Sequence, residues 1–341
     1  NPMLGTATLW DSVDLGFKPT KRTWGAEVFP GSSLPNAMVQ VSPVTKFHSG
    51  AGYQYEDSVI YGFTHTNKGH WNLCHIPLLP VTGTPTPGDY CSPFSHERES
   101  AAPGYYQVFL DRYGVDAQLS STLRCAFHKY TYPAGAAASL LADLQRSNEH
   151  VRAWDIRKEG DNVFAGWQQT GEKMYFYAVA NRPVTGIEPV VEGDREVRIV
   201  RFGEGDGALE LRIGFSFVSE KNARENLEAE MLGKSFAEVR SEATATWNDL
   251  LGRIRVEGGT EREKGLFYSS LYRSFLWPAL RSDVNGEFTD VDGKVINPGF
   301  RYYTGPSYWD DYRNKLILLG MLAPDVAADV ISSDTDKGEK R

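Results

Sequence analysis

Cysteine is scarce and unpatterned in this chain: Cys74, Cys91 and Cys125 are the only three among 341 residues. None stands in a CxxC pair, so neither a structural zinc site nor a disulfide framework is indicated. One pair would bridge in an oxidising compartment; we expect three free buried thiols instead. No run approaches the roughly 18 consecutive apolar residues of a membrane span. Positive charge is also in deficit, with 36 Lys and Arg against 44 Asp and Glu and a net charge of -8. That balance excludes nucleic acid as the main partner, because phosphate needs a basic face. It equally excludes a polybasic membrane anchor. GxSxG, GxGxxG, P-loop and HExxH motifs are all missing, so serine-hydrolase, dinucleotide and zincin chemistries have no support. The opening NPMLGTATLW has no basic n-region and no apolar h-region. A signal peptide is therefore expected to have been removed or left out of this chain.

What is abundant is aromatic. Tyr, Phe and Trp number 17, 17 and 8, together 12% of the chain. Sugar binders use such rings, because the C–H face of a pyranose packs on a ring whose edge keeps a polar handle. Large β-rich cores consume aromatics as well. With 41% hydrophobic and 23% charged residues the composition is that of a globular protein.

The first two-thirds reads as strands, with short apolar runs separated by Gly, Pro, Asn and Asp clusters. Segment 105–132 looks like a hairpin turning at Asp111–Gly114, and 193–218 repeats the pattern across GEGDGA. AAASLLADLQRS near 137–147 is the one short helix expected there. Many antiparallel strands over some 200 residues imply a β-sandwich. From Glu220 to Leu251 the chain turns rich in Ala, Glu, Leu and Lys at helical spacing, with Gly233 separating two helices. Thr260 followed by Glu263 is a capping-box pattern for a third helix, stopped by Pro278. Another helix is expected from near Ser307 to Pro324. The expected division is a sandwich over 1–218, a helical linker over 219–258 and a helical domain over 259–341. So few helices close too little core alone. Either they dock on the sandwich or the chain is a piece of something longer.

Three clusters carry candidate chemistry. Residues 52–76 hold Glu56, Asp57, His65, Asn67, His70, Trp71, Asn72 and His75. The three histidines at 65, 70 and 75 are five apart, a spacing that suits neither a helix face nor a zinc finger. TNKGHWN reads as a loop whose Asn, His and Trp suit sugar hydroxyls and a sugar face; the competing reading is a turn with Trp71 in the core. In YWDDYR, Asp310 and Arg313 share a helical face beside Trp309, so the Asp can accept from sugar hydroxyls while the Arg fixes it. A dipole-favouring acid with a local ion pair is the competing account. In FSHERES, Glu97 and Glu99 are a possible acid and base, as is any other pair among the acidic residues.

Read together, FPGSSLPNAMVQVSP, GYQYEDSVIYGFTHT, FSHERESAAPGYYQVFLDRYGVDAQLSSTLRCAFHKYTYP, YSSLYRSFLWPALRSDVNGEF and YWDDYR resemble glycoside hydrolase family 92, the exo-acting α-mannosidases. These blocks stand in the family's order across about 24–320. The resemblance implies a β-sandwich N-terminal domain, an α-helical linker and the first helices of an (α/α)6 barrel. It implies an inverting enzyme that removes terminal mannose from mannose-containing glycans, of N-glycan or yeast mannan type, using calcium. It implies a secreted, periplasmic or cell-surface location. Carried over residue by residue, Trp309, Asp310 and Arg313 match the family's Trp-Asp-x-x-Arg facing the terminal sugar. His65, Asn67, His70 and Trp71 fall in the loop by which the sandwich caps the pocket. There the chain departs, with HTNKGHWN where the family often has His-Thr-His-x-Ser-Gly. Phe47 stands where many members place a Trp. Both changes bear on linkage and aglycone preference. The alternatives are a non-catalytic carbohydrate-binding sandwich and a related glycosidase for another sugar.

The resemblance places the family's general acid, general base and most calcium ligands beyond Arg341, with the rest of the barrel. The 341 residues expressed alone are accordingly expected to release no mannose from α-mannosides, and measurable release would overturn that expectation.

Overall fold

Short alternating segments close into two facing sheets in the computed structural model, which describes residues 1–8, 26–67 and 73–340. One sheet runs β1 (Ser32–Ser33), β2 (Gln40–Val44), β4 (Gly62–Thr64), β5 (Leu78–Val81), β11 (Ser139–Ala142), β16 (Arg195–Phe202), β15 (Val184–Glu192). The other runs β12 (Ala153–Gly160), β13 (Val163–Gln169), β14 (Lys173–Ala180), β17 (Leu209–Ser216), β10 (Cys125–Thr131), β9 (Val115–Ser121), β8 (Tyr105–Leu110), β7 (Glu99–Ala102). Two small ribbons pair β3 (Val59–Ile60) with β6 (Ser92–Pro93), and β18 (Phe288–Thr289) with β19 (Val295–Ile296). All of these pairings are antiparallel. The period of two is visible in β14, where Met174, Phe176, Ala178 and Ala180 are buried and their neighbours are half-buried. Inner faces of both sheets meet in one core that includes Val81, Leu140, Leu119 and Phe176.

Two local expectations fail for tertiary reasons. Residues 137–147, read as a helix, contain β11 in the centre of its sheet, paired with β5 on one side and β16 on the other. The fully buried Leu140 and Leu141 are worth more between two strands than helix propensity is worth in isolation. The hairpin expected across GEGDGA does not form either: β16 pairs with β11 and β15, while β17 pairs with β10 and β14. The six connecting residues reach up to about 20 Å, enough to cross the ~10 Å between sheets, so each strand buries its apolar side from an opposite wall. The meander β8–β9–β10 does form, with its first turn at Asp111–Gly114.

Helices α1 (Glu220–Glu230) and α2 (Phe236–Leu251) cover the outer face of the eight-stranded sheet. Leu227, Met231, Phe236 and Val239 pack there on Tyr105, Cys125 and Phe127. α1 approaches β17 so closely that a Cβ on Gly214 would lie 2.1 Å from the Ala223 carbonyl oxygen. Ser235 with Glu238 and Thr260 with Glu263 both form complete capping boxes, the latter starting α3 (Glu261–Ser274). The single helix expected from Ser307 to Pro324 is broken into α4 (Tyr308–Asp311) and α5 (Lys315–Leu322), and α6 (Pro324–Glu339) follows. At the break the Asp311 carboxylate accepts from the Ser307 N–H and from Lys315. The helices dock on the sandwich rather than standing apart. The Trp247 indole donates to the Ser33 carbonyl at 2.7 Å and its ring lies 4.4 Å from Tyr272. Cys74 and Cys125 are buried free thiols, and Cys91 is free but only half-buried.

One polar chain runs through the core. His65 Nδ1 is 2.9 Å from the Ile76 carbonyl, His65 Nε2 is 3.0 Å from His128 Nε2, and His128 Nδ1 is 2.5 Å from the Tyr130 hydroxyl. One assignment satisfies every atom: His65 donates to Ile76, His128 donates to His65, and Tyr130 donates to His128. It requires both rings neutral. Burial pushes His65 down to about 3 and His75 down to about 4, and it holds His128 well below 6.5. Unfolding returns all three to about 6.5, so the unfolded chain binds more protons below that value. Stability is therefore complete above pH 6.5 and falls as the pH drops below it. Between pH 7.5 and 5.5, above the usual carboxylate range, urea unfolding should show a loss of about 1 kcal/mol or more per buried histidine. Equal stability at the two pH values would disprove the neutral chain.

Candidate functional site

The two sequence clusters that flank residues 68–72 and begin at Ser307 meet through one glutamine. Asn67 and Leu73 pair as an antiparallel bridge, so they form the stem of that loop. Gln40, buried in β2, accepts the Asn67 N–H at 2.9 Å and donates its own amide to the Leu276 carbonyl at 3.2 Å. The next residue, Trp277, donates its indole N–H to the Gly305 carbonyl at 3.3 Å. Gly305 stands three residues before α4. Contacts therefore run from the stem at Asn67 to Gly305, although these residues are far apart in sequence.

Beside it lies a cleft of about 720 Å³ between the sandwich and the helical segment, lined among others by Tyr175, Phe217, Arg281, Phe288, Tyr302 and Lys337. Its walls are aromatic plates with charged edges. Phe288 stacks on Tyr302 at 3.5 Å, and the Arg281 guanidinium sits 3.8 Å over the Phe217 ring while pairing with Glu172 at 2.9 Å. Lys337 donates to the Tyr303 carbonyl at 2.8 Å, and its burial lowers its pKa. Flat apolar faces interleaved with fixed donors suit a polyol better than a lipid or a nucleotide.

A buried carboxylate holds this wall in place. Asp283 accepts from Ser216 at 2.6 Å, from Asn222 at 2.8 Å and from Asn226 at 2.6 Å. Burial raises its pKa, and the three hydrogen bonds oppose the rise. Arg124 adds a second tie, pairing with Glu230 at 2.7 Å and donating to the Ser282 carbonyl at 2.8 Å.

The expected site residues fall in different places. Trp309 is 88% exposed at the start of α4. Arg313 is exposed too, but its Nε donates to the Tyr312 hydroxyl at 2.8 Å. The side chain of Asp310 lies outside the described residues, as do His70 and Trp71. Phe47 is half-buried and lines a second cleft, of about 960 Å³, with Tyr61 and Trp154. His65 and Asn67, expected to meet a ligand, are both buried, with His65 engaged at both ring nitrogens and Asn67 bonded to Gln40 and Thr64. Glu99 is not a free acid or base: Tyr53, Tyr106 and His96 all point at its buried carboxylate. Sequence reasoning missed Gln40, Phe217, Arg281 and Trp277. The aromatic excess was their only local signal, because each acts through a partner distant in sequence. Among the described residues no three His, Cys, Asp or Glu side chains are grouped to hold a metal ion.

Comparison with known proteins gives this geometry a context. Residues 1–226 match the family model for the glycosyl hydrolase family 92 N-terminal domain, and residues 222–341 match that for the family 92 catalytic domain. An uncharacterized secreted glycosidase of Arthroderma benhamiae is 25% identical over 318 residues, covering 77% of this chain and 41% of the relative. The family GH92 α-mannosidase BT3965 from Bacteroides thetaiotaomicron superposes with a TM-score of 0.89 at 25% identity, over 100% of this chain and 49% of that one. It has also been solved in complex with mannoimidazole. The inverting family GH92 mannosidase BT2199 from the same organism gives a TM-score of 0.83 at 25% identity, over 98% and 47%. The chain thus spans less than half the length of each of these relatives.

Replacing Asp283 by Ala orphans three buried donors and should cost about 3 kcal/mol. Asp283→Asn, whose amide oxygen still accepts, should recover part of it. Urea unfolding of the two variants tests this, and an Ala variant within about 0.5 kcal/mol of wild type contradicts the latch.

Proposed function

The chain belongs to glycosyl hydrolase family 92, and from that membership we propose that the protein hydrolyses terminal α-mannosides with inversion at the anomeric carbon. The observation that carries the reading is the link from the Asn67–Leu73 stem through Gln40 and Trp277 to Gly305, which lines an aromatic cleft. On this reading Trp309 offers its exposed ring to the C–H face of the terminal sugar. Asp310 accepts from sugar hydroxyls, and Arg313 donates to the same sugar. Asn67, held by Gln40, forms the sandwich side of this arrangement.

An inverting hydrolysis needs one carboxylic acid to protonate the leaving oxygen and a carboxylate to activate water on the opposite face. We assign neither role to a residue here. Calcium belongs to the proposal as the ion that binds adjacent mannose hydroxyls. The described residues do not fit it, since no cluster of three ligating side chains forms among them, and no step is derived through the ion. The protein is proposed to act outside the cytosol, in line with the secreted relative.

The test is mannose release by the full-length gene product from a panel of α-linked mannosides, with and without a calcium chelator. Release that stops on chelation and returns with calcium is expected, as is a loss of about tenfold in kcat/KM for Trp309→Ala, the worth of one stacking contact. A folded protein that releases nothing in the presence of calcium refutes the reading in favour of a sugar-binding module.

A further inference from the structure

Two large rings stand outside the apolar cores. Trp167 in β13 and Tyr175 in β14 lie directly opposite one another on the outer face of the eight-stranded sheet, and both are half-buried. The apolar packing beneath α1 and α2 takes in Tyr177 and Val179, the next outward residues of β14, but neither Tyr175 nor Trp167. Among the described residues the core between the sheets does not include them either. A single surface ring needs no explanation, but a contiguous pair on a sheet face marks a contact surface.

The register extends the pair into a row. Asp155 pairs with Trp167 on one side and Ser216 pairs with Tyr175 on the other, so the row crosses β12, β13, β14 and β17. At about 4.8 Å between strands it is roughly 14 Å long. Its inner end is Ser216, whose hydroxyl donates to Asp283 in the wall of the junction cleft. Tyr175 and Lys173 line that cleft, so row and cleft form one continuous surface. The flanks are polar. Arg157 runs along one of them, donating to Asp155 at 3.2 Å and to Glu220, the first residue of α1, at 2.7 Å. Gln169 and Lys173, opposite one another, border the other. The Lys173 ammonium rests 3.6 Å from the centre of the Trp167 ring and 5.0 Å from that of Tyr175. A lysine on its flexible stem is a replaceable occupant of a ring face. The C–H face of a sugar fits the same surface, and the displaced ammonium then has hydroxyls to donate to.

We infer that this row is an accessory track for a neutral mannose chain, which lies along Trp167 and Tyr175 while its terminal sugar occupies the junction cleft. The inference rests on the family reading for the ligand's being a glycan. A neutral chain is indicated because the charges beside the rings are already engaged, Arg157 with Asp155 and Glu220, and Lys173 with the rings themselves. A row one side chain wide also suits a linear chain better than the broad patch of a protein partner.

The experiment is native electrophoresis of the full-length gene product through gels holding yeast mannan or dextran, which needs no turnover, together with kcat/KM on mannan and on nitrophenyl α-mannoside. Mannan should retard the wild type and dextran should not. Trp167→Leu keeps apolar bulk and removes the ring face. It should raise the apparent Kd for mannan about tenfold, the worth of one stacking contact, and lower kcat/KM on mannan by a like factor, with the nitrophenyl mannoside unchanged. Trp167→Phe, which keeps a ring, should recover most of the loss. A Leu variant retained like wild type overturns the inference, as does an equal loss in the Leu and Phe variants. A wild type that mannan does not retard, or that dextran retards equally, overturns it too, as does an equal loss on polymer and small mannoside. The two readings fail separately. Trp167-dependent retention without mannose release sinks the activity alone, and release from the small mannoside without such retention sinks this inference alone.

Discussion

Three stretches that are separate in sequence are fixed to one another at Asp283. Its carboxylate takes donors from Ser216 at the end of the sandwich and from Asn222 and Asn226 in the first linker helix, while its own backbone belongs to the segment that walls the junction cleft. A buried carboxylate without partners is costly, so the three elements are stable mainly in the arrangement that satisfies it. Arg281, two residues earlier, is thereby placed over Phe217, and Phe288 and Tyr302 stack in the facing wall. The site is a consequence of this closure: the junction cleft draws its lining from β14, β18, α6 and the loops between them, not from any single element.

That dependence separates what is legible in the sequence from what is not. Strands with period two, the capping boxes at Ser235 and Thr260, and the outward change from sandwich to helices follow local rules and are readable from residue order. β11 is not, because Ser139–Ala142 is helical by composition and extended only because strands flank it on both sides. The crossing at 203–208 is unreadable for a related reason, since a Gly-rich connection fits a hairpin and an arch equally well and only the partners of β16 and β17 decide.

The histidines make the same point for the site. Polar residues in an aromatic-rich segment suggest ligand contacts, and Phe47 and Trp309 do lie at surfaces. His65 and Asn67 instead spend every polar atom on the framework, His65 in a relay to His128 and Tyr130, Asn67 in the stem held by Gln40. Sequence identifies which segments matter; whether a side chain in such a segment faces the ligand or holds the loop depends on the opposite sheet. Gln40 and Trp277, which link the stem at Asn67 to Gly305, look ordinary in the sequence because their importance lies in the carbonyls they reach.

Membership in glycosyl hydrolase family 92 fits this division of labour. A pocket assembled at a junction is tuned by changing loop residues and cleft linings while the latch stays fixed, because the latch carries stability and the linings carry recognition. Phe47 lies on a cleft lining, while Asp283, Asn222 and Asn226 form the latch, where a change would unseat three elements together. Phe47 lies beside the arginine-rich cleft and faces Arg146. A phenyl ring in that position gives the guanidinium an apolar face with no polar edge to compete for its contacts to Tyr90 and Asp143. A change in this lining alters what the cleft presents without touching the Asp283 latch, so recognition can vary while the fold is kept.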